Sequence, residues 1–329
     1  MFNRFLMAAT SVLALSSAPL MAASVNLAED SIPDIENSGT ALWSHTFIET
    51  LKAAGWDTEV FPYNTIGGED ERLDQVRTGI LDVSMSDYRV SVEFAPEMRV
   101  PQLPYLFSGE AHYSKFMHES DFLAGVNETL LPEGFQVLSS VGLGPFSGLY
   151  NNKAEIKTAA DMPQLRMRAL DTMQMDLFSK LGASGVVVPW TEVPNAIQTG
   201  VADGYINPVG VALTFGHIDL FDYFTDFKVI PAVRVAIAST MWLDGLSDEE
   251  KAQVDEAVAA ADAAVDAWIP TVDERQKGEI ADAGIKVYQP TAEDLKTFAD
   301  AAAPMADNVD GVEPARVQAI IADIKSYAE

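Results

Sequence analysis

Apolar and polar residues alternate in the middle of the chain, where Leu165 and Met167 are interleaved with Arg166 and Arg168. This period of two is typical of a β-strand with one buried face. If the two apolar side chains point into a core, the two arginines share the opposite face. The pattern therefore predicts a guanidinium group on a rigid element rather than on a loop.

The pattern then changes to that of a helix and back to that of a strand. The helix-like segment ends at Gly182, a usual helix stop, and residues 186–188 are three valines, which suit a buried strand. Strand, helix and strand in this order predict a parallel crossover. Ligands tend to bind beyond the carboxyl ends of such strands, where Arg168 lies and where Asn207 closes a further strand-like segment.

Strand and helix patterns also alternate elsewhere, which favours a mixed α/β protein. Ser247 and Glu250 form a capping box at the start of an alanine-rich helix that should reach about Ile280, and Pro270 should kink or interrupt it. The tail is helical in pattern. Strand-like runs occur at residues 25–28, 58–63, 83–85, 135–138 and 229–241.

Three motifs in a fixed order carry a resemblance to a known family. They are FPYNTIGGEDERLDQVRTGILD at residues 61–82, PQLPYLF at residues 101–107, and residues 164–208, which end in EVPNAIQTGVADGYINP. Together they resemble the DctP-type solute-binding proteins of tripartite ATP-independent periplasmic (TRAP) transporters. The resemblance covers nearly the whole chain after its first segment.

The resemblance implies an α/β, two-lobed periplasmic-binding-protein-like fold with a mixed sheet in each lobe and a long helix spanning both lobes. Residues 24–144 and about 232–265 would form lobe I. Residues 145–231 and about 275–329 would form lobe II, and the helix at residues 247–282 would bridge the lobes. The glycine-rich stretch after residue 138 is the expected crossover between them.

Four departures from the family motif bear on the ligand. Gln164 replaces the usual glycine, Pro194 the usual aromatic residue and Ile206 the usual glutamate, while Ser147 stands where sialic-acid and many dicarboxylate binders carry a second arginine. The second carboxylate-binding arginine of those relatives is therefore missing at this position.

The first 23 residues have the layout of a cleaved secretory signal. Arg4 precedes an apolar run at residues 5–15, and small residues lead to Met21, Ala22 and Ala23. The apolar run is too short to span a bilayer. With the resemblance, this layout predicts a periplasmic protein.

Composition excludes several classes of function. The chain has no cysteine, hence neither disulfides nor thiolate chemistry, and its formal charge of −28 opposes binding to nucleic acid. Its four histidines are scattered without metal-ligand spacing, and no glycine-rich phosphate motif is present. We expect no enzyme activity, no cofactor and no metal.

The family motif implies that Arg168 and Asn207 hold a carboxylate. A guanidinium offers a planar fork that matches a carboxylate with two parallel hydrogen bonds. Trp190, at the end of the valine run, is either a wall of the site or part of the core. Further candidates are Ser147, Phe146, Tyr88 and Arg234. If Arg234 enters the site, it replaces the missing arginine and restores a doubly anionic ligand.

Three acidic residues, Glu29, Asp30 and Asp87, follow strands of the first lobe and could reach the same site. Acids opposite an arginine and an aromatic ring suit a ligand with both a carboxylate and a cationic group. Ectoine-binding members of the family, which the chain resembles, also carry an acid in the loop after the first strand. The ligand is therefore hypothesised to be a zwitterion, such as a betaine or an ectoine-like solute; the alternatives are a mono- or dicarboxylate, a sugar acid or a sulfonate.

The combined interpretation is a periplasmic receptor that captures a small carboxylated solute by lobe closure. The family implies delivery to the small and large membrane subunits of a TRAP permease driven by an ion gradient, and a monomer is expected. Two other roles stay open: a ligand-sensing subunit of a signalling system, and a binding protein for an ATP-driven importer, which residues 192–208 disfavour.

Overall fold

Two separate mixed sheets organise the chain, and helices cover their faces. The computed structural model describes residues 22–328, so the predicted signal peptide, residues 1–23, lies almost wholly outside the described residues. The strands are β1 (Ser24–Ala28), β2 (Asp57–Phe61), β3 (Val83–Asp87), β4 (Phe135–Gly142), β5 (Gly148–Asn151), β6 (Arg166–Ala169), β7 (Ser184–Val187), β8 (Gly204–Asn207), β9 (Tyr223–Thr225), β10 (Val233–Ser239) and β11 (Lys286–Tyr288).

The helices account for about half of the described residues outside the strands. They are α1 (Gly39–Ala53), α2 (Glu69–Arg77), α3 (Arg89–Val92), α4 (Glu110–Glu119), α5 (Phe122–Leu130), α6 (Thr172–Lys180), α7 (Val193–Gln198), α8 (Val211–Thr214), α9 (Thr240–Gly245), α10 (Asp248–Asp282), α11 (Ala292–Ala302) and α12 (Pro314–Ser326). Within residues 22–328, no helix combines the length and the apolar character that a membrane crossing needs.

The first sheet has the strand order β2-β1-β3-β10-β4. Strands β1, β2 and β3 run parallel, as alternating strands and helices predict, whereas β10 is antiparallel to both β3 and β4. Strand β10 comes from the predicted run at residues 229–241, so the chain does return to the first sheet after building the second. We call the part of the molecule around this sheet the first lobe.

The second sheet has the order β11-β9-β5-β8-β6-β7 and forms the core of the second lobe. The predicted crossover is confirmed, because β6, α6 and β7 form a parallel unit. The valine run is buried only in part. Val188 is 6% exposed, but the prediction was wrong for Val187, which is 53% exposed because among the described residues β7 pairs with β6 alone, at the sheet edge. A run of β-branched residues predicts a strand. How far that strand is buried depends on its position in the sheet, which the run itself does not indicate.

The chain passes from the first sheet to the second between β4 and β5, where the sequence predicts the crossover. The first residue of β5, Gly148, has to be a glycine, because a Cβ atom there would lie 2.2 Å from the ring of Phe224. Next to this crossing, the N–H of Leu143 donates to the carbonyl oxygen of Ala232 at 2.8 Å, so the outward and return segments are hydrogen-bonded.

Helix α10 spans 35 residues and contacts both lobes. It begins with the predicted capping box: the Ser247 hydroxyl accepts from the N–H of Glu250, and the Glu250 carboxylate accepts from the N–H of Ser247. The sequence predicted that Pro270 would kink or interrupt this helix. The helix continues through Pro270, so the predicted interruption was wrong. The helix has buried residues both before and after the proline. Their packing stabilises the helix by more than the loss of one backbone hydrogen bond costs.

The final helices divide between the lobes. Helix α11 contacts second-lobe elements, whereas α12 packs on residues 96–102, and the Nε2 atom of His112 donates to the carbonyl oxygen of Ile324 at 2.8 Å. Residues 314–326 thus pack on the first lobe, although the expected division put them in lobe II. The other boundaries of that division stay a prediction.

Candidate functional site

A cleft of about 500 Å³ lies between the two lobes. Its walls include the carboxyl ends of β3, β6 and β8, and the segments that follow β1 and β2. Parallel strands gather the residues after their carboxyl ends at one edge of a sheet, so each lobe contributes one polar wall. The cleft has the size of a pocket for a small organic molecule.

Arg168 lies on the second-lobe wall and is 4% exposed. Its Nε atom donates to the carbonyl oxygen of Val188 at 2.9 Å, which fixes the side chain. No hydrogen bond among the described residues uses its Nη1 or Nη2 atom. Burial, followed by the nearby charges of Arg89 and Arg234, lowers the pKa of Arg168 to about 10. The guanidinium remains charged at neutral pH, but in surroundings that favour an added anion.

Trp190 packs against this guanidinium, whose Cζ atom lies 5.6 Å from the ring centroid. Phe215 meets the tryptophan edge-on at 5.2 Å, and Tyr205 and His217 pack behind it. Burial lowers the pKa of His217 to about 4, so this aromatic cluster is neutral near pH 7. The sequence left open whether Trp190 is a wall of the site or part of the core. It is both, because it lines the cleft and also packs against the aromatic cluster behind it.

The first-lobe wall is held by ion pairs. The Nε atom of Arg234 lies 2.7 Å from Oδ2 of Asp30, and its Nη1 atom lies 3.7 Å from Oδ2 of Asp87. Oδ1 of Asp87 accepts from Nε of Arg89 at 2.9 Å. Burial alone would raise the pKa of Asp87, but the charges of Arg234 and Arg89 outweigh it and lower the pKa.

The cleft wall carries more positive than negative side chains, although the whole protein is strongly acidic. Four arginines and three carboxylates line it: Arg72, Arg89, Arg168, Arg234, Asp30, Glu69 and Asp87. Arg72 pairs with Glu69 at 3.0 Å, so every one of these arginines except Arg168 has a carboxylate partner among the described residues. Although the formal charge of the protein is −28, Arg168 thus stays without a carboxylate partner in the part of the chain that the structure describes.

The structure brings together eight of the ten residues singled out from the sequence. They are Arg168, Asn207, Trp190, Ser147, Tyr88, Asp30, Asp87 and Arg234, and all of them line the cleft.

Glu29 and Phe146 do not line it. Adjacent residues of an extended segment point to opposite faces, and Asp30 and Ser147 are the ones that face the cleft. Phe146 borders a separate small cavity instead.

Sequence reasoning missed the contribution of the segment after β2 and of α2. Tyr63, Asn64, Glu69 and Arg72 line the first-lobe wall. Their positions after a strand and in the first turn of a helix were the available signal. In the described part of the chain, no group of His, Asp or Glu side chains is placed to hold a metal ion.

Comparison with known proteins gives matches across most of the chain. Residues 34–310 match the family model DctP, described as bacterial extracellular solute-binding protein, family 7. The 2,3-diketo-L-gulonate-binding periplasmic protein YiaO of Escherichia coli is 27% identical over 249 residues, which are 74% of this chain and 73% of that protein. The ectoine/5-hydroxyectoine-binding periplasmic protein UehA of Ruegeria pomeroyi is 24% identical over 240 residues, 71% of this chain and 68% of that protein.

Among solved structures, a TRAP periplasmic solute-binding protein of Haemophilus influenzae with bound L-gulonate superposes with a TM-score of 0.83. It is 17% identical, and the match covers 93% of this chain and 99% of that one. The likeness confirms the two-lobed fold. Because the family model covers far more than half of the sequence, the chain belongs to the DctP family of bacterial extracellular solute-binding proteins, the solute receptors of TRAP transporters, which are transport proteins and not enzymes.

Proposed function

We propose that this protein is a periplasmic receptor for a small solute with one carboxylate, which it encloses between its lobes and delivers to a TRAP permease. The observation that carries the proposal is the guanidinium of Arg168, which has no carboxylate partner among the described residues and lies in a partly aromatic cleft. A carboxylate would receive two charge-assisted hydrogen bonds from its Nη atoms. Asn207, at the neighbouring strand end, can donate to the same group.

A single negative charge fits the cleft better than two. Arg234, which could have replaced the arginine missing at Ser147, is paired with Asp30 and Asp87. A second carboxylate would therefore have to displace an existing ion pair. This favours a monoanionic ligand, such as a hydroxy acid or sugar acid, over a dicarboxylate.

The first-lobe wall offers an acceptor for the other end of the ligand. Oδ1 of Asp30 is buried and has no hydrogen-bond partner among the described residues, although Oδ2 is held by Arg234. A buried carboxylate oxygen without a donor is costly, so a ligand hydroxyl that donates to it would gain affinity. Such a ligand contacts both lobes, as a ligand that favours closure must.

A zwitterion is the second candidate, and the same Asp30 oxygen favours it, because an N–H of a cationic group could donate there. The other two acids that first suggested a zwitterion contribute less. Asp87 is already paired with Arg89 and Arg234, and Glu29 faces away from the cleft. A hydroxylated monocarboxylate therefore stands first.

Location and partners follow from the family. The layout of the first 23 residues supports export to the periplasm, and the permease partners would be one small and one large membrane subunit. We propose that the receptor works as a monomer, because one chain supplies both walls of the cleft.

The experiment is a thermal-shift screen of purified protein, unfolded and refolded to remove any carried-over ligand. The panel contains hydroxy acids and sugar acids, dicarboxylates, sulfonates, betaines and ectoines. A ligand at 100 times its dissociation constant should stabilise the protein by about 2.7 kcal/mol. Stabilisation by monocarboxylates with hydroxyls is expected; tighter binding of dicarboxylates would contradict the single-charge assignment.

Two matched variants test the carboxylate contact. Arg168→Lys keeps the charge but loses the planar fork, and it should abolish the shift. Arg166→Lys changes the exposed arginine two residues earlier on the same strand, whose guanidinium donates to the carbonyl oxygen of Gly200, and it should leave the shift unchanged. Equal effects of the two substitutions, or strong binding of solutes without an acid group, would overturn the proposal.

A further inference from the structure

Among the described residues, one direct hydrogen bond between side chains joins the first-lobe wall of the cleft to the segment that follows β6. The Tyr88 hydroxyl donates to Oδ2 of Asp171 at 3.0 Å. Tyr88 follows β3 in the first lobe, and Asp171 follows β6 in the second, 83 residues later in the chain. The bond therefore joins the carboxyl end of β3, the central strand of the first sheet, to that of β6, the neighbour of the edge strand in the second sheet.

Asp171 divides its two oxygens between two tasks. Oδ1 accepts from the N–H of Gln174 at 2.9 Å and thereby caps helix α6, which fixes the side chain to the second lobe. This leaves Oδ2 for Tyr88. On the other side, the Tyr88 ring is buried and its carbonyl oxygen accepts from the hydroxyl of Ser91, so the phenol is held firmly in the first lobe.

The position of this bond distinguishes it from other contacts between the lobes. The hydrogen bond from Leu143 to Ala232 lies where the chain crosses between the sheets, so a rotation of the lobes about the crossings can leave it intact. Tyr88 lines the cleft, and Asp171 lies between Leu170 and Met173, which line the opposite wall. Opening the cleft must separate them and expose a carboxylate and a phenol to water.

We propose that Tyr88 and Asp171 are positioning residues that hold the cleft shut and so set how long a bound solute stays. This inference rests on the proposed function but assigns the Tyr88 hydroxyl to the opposite lobe rather than to the solute. A hydrogen bond to a carboxylate is strong enough to slow ligand release about tenfold. Association begins from the open form, in which the bond is absent, so its rate should change little.

Three variants test the proposal by stopped-flow binding and release of the tightest solute from the panel. Tyr88→Phe removes only the donor. Asp171→Ser keeps a good helix cap but is too short to reach the tyrosine. Each should raise the dissociation rate about tenfold, and the double variant should be no faster than either one. Tyr113→Phe is the control: its hydroxyl lies 2.7 Å from Oγ of Ser140 within the first lobe, so release should not change.

A second measurement does not need a ligand. Because the chain has no cysteine, dyes can be attached through Asp74→Cys in α2 and Gln198→Cys in α7, both exposed positions in different lobes. Single-molecule energy transfer in the refolded, ligand-free protein should show fewer closed molecules for Tyr88→Phe, and no change for Tyr113→Phe. This readout stands even if the solute panel gives no hit. Identical closed populations, or an effect only on the association rate, would overturn the inference.

Discussion

Arg234 and Asp30 form an ion pair on the first-lobe wall, with Nε of the arginine 2.7 Å from Oδ2 of the aspartate. The side chain of Asp30 is 4% exposed and that of Arg234 is 27% exposed, and Asp87 also depends on Arg234 for charge compensation. Removing one partner of a buried pair leaves an uncompensated charge. We expect Arg234→Gln to lower the free energy of unfolding by about 3 kcal/mol in urea titrations.

Arg89→Gln is the matched comparison, because Arg89 also pairs with Asp87 but its side chain is 42% exposed. An exposed pair contributes less, so we expect a loss of about 1 kcal/mol or less. Equal losses for the two variants would contradict the importance of the Arg234 pairs.

Glu29 should make stability depend on pH. Burial, with a smaller effect of Asp30, raises the pKa of Glu29 from 4.5 to about 7. The folded protein then holds a proton that the unfolded chain has lost, so the contribution is complete below pH 4.5 and disappears as the pH rises through 7. Glu29→Gln should be more stable than the parent by about 1–3 kcal/mol at pH 8 and no more stable at pH 4.5. Urea titrations across this range check it, and the exposed Glu128→Gln should leave the pH dependence unchanged.

Lys277 stabilises the second lobe through buried carboxylates. Its Nζ atom lies 2.6 Å from Asp226 and 2.9 Å from Asp273. Burial opposes the charge of Lys277, but these hydrogen bonds outweigh it and raise the pKa. Lys277→Met should cost about 3–5 kcal/mol of unfolding free energy.

The control for this prediction is Lys296→Met, which breaks an exposed pair with Asp300 on α11. It should change the unfolding free energy by about 1 kcal/mol at most. A small effect of Lys277→Met as well would show that water compensates the two carboxylates.

Trp190 should contribute to affinity through its contact with Arg168 and its face on the cleft. Trp190→Leu removes the aromatic ring and should weaken binding of the solute about tenfold by calorimetry, whereas Trp190→Phe should weaken it less. Trp242→Leu changes a first-lobe tryptophan that donates to the carbonyl oxygen of Ser24, outside the cleft wall, and should bind normally. Normal binding by Trp190→Leu would restrict this residue to the core.

Local signals in the sequence predicted the elements well. Alternation at residues 165–168, the capping box at Ser247 and the strand end at Asn207 all depend on neighbours within a few residues, and all are confirmed. The family motif added the two lobes and the long helix. These features need no knowledge of which segments meet in space.

The remaining features depend on contacts between distant segments. Asp171 can be recognised as a helix cap from the sequence, but its bond to Tyr88 requires the two lobes to be placed against each other. Pairing of Arg234 with Asp30 likewise joins residues about 200 positions apart, so the sequence left its charge open. The exposure of β7 follows from the absence of a strand beyond it among the described residues, which no local pattern reports.

Pro270 gives helix α10 uneven mechanical properties. Val265 and Ile269, before it, pack in the first-lobe core, and Ile280, after it, packs in the second-lobe core. A proline cannot donate the backbone hydrogen bond that would stiffen this turn. At 1.5 Å per residue the helix is about 52 Å long, so a bend of a few degrees at one residue moves its far end by more than an ångström. The helix should therefore bend most easily near Pro270, between the part that packs on the first lobe and the part that packs on the second. Such a bend would let the two lobes rotate relative to each other while the helix stays packed on both.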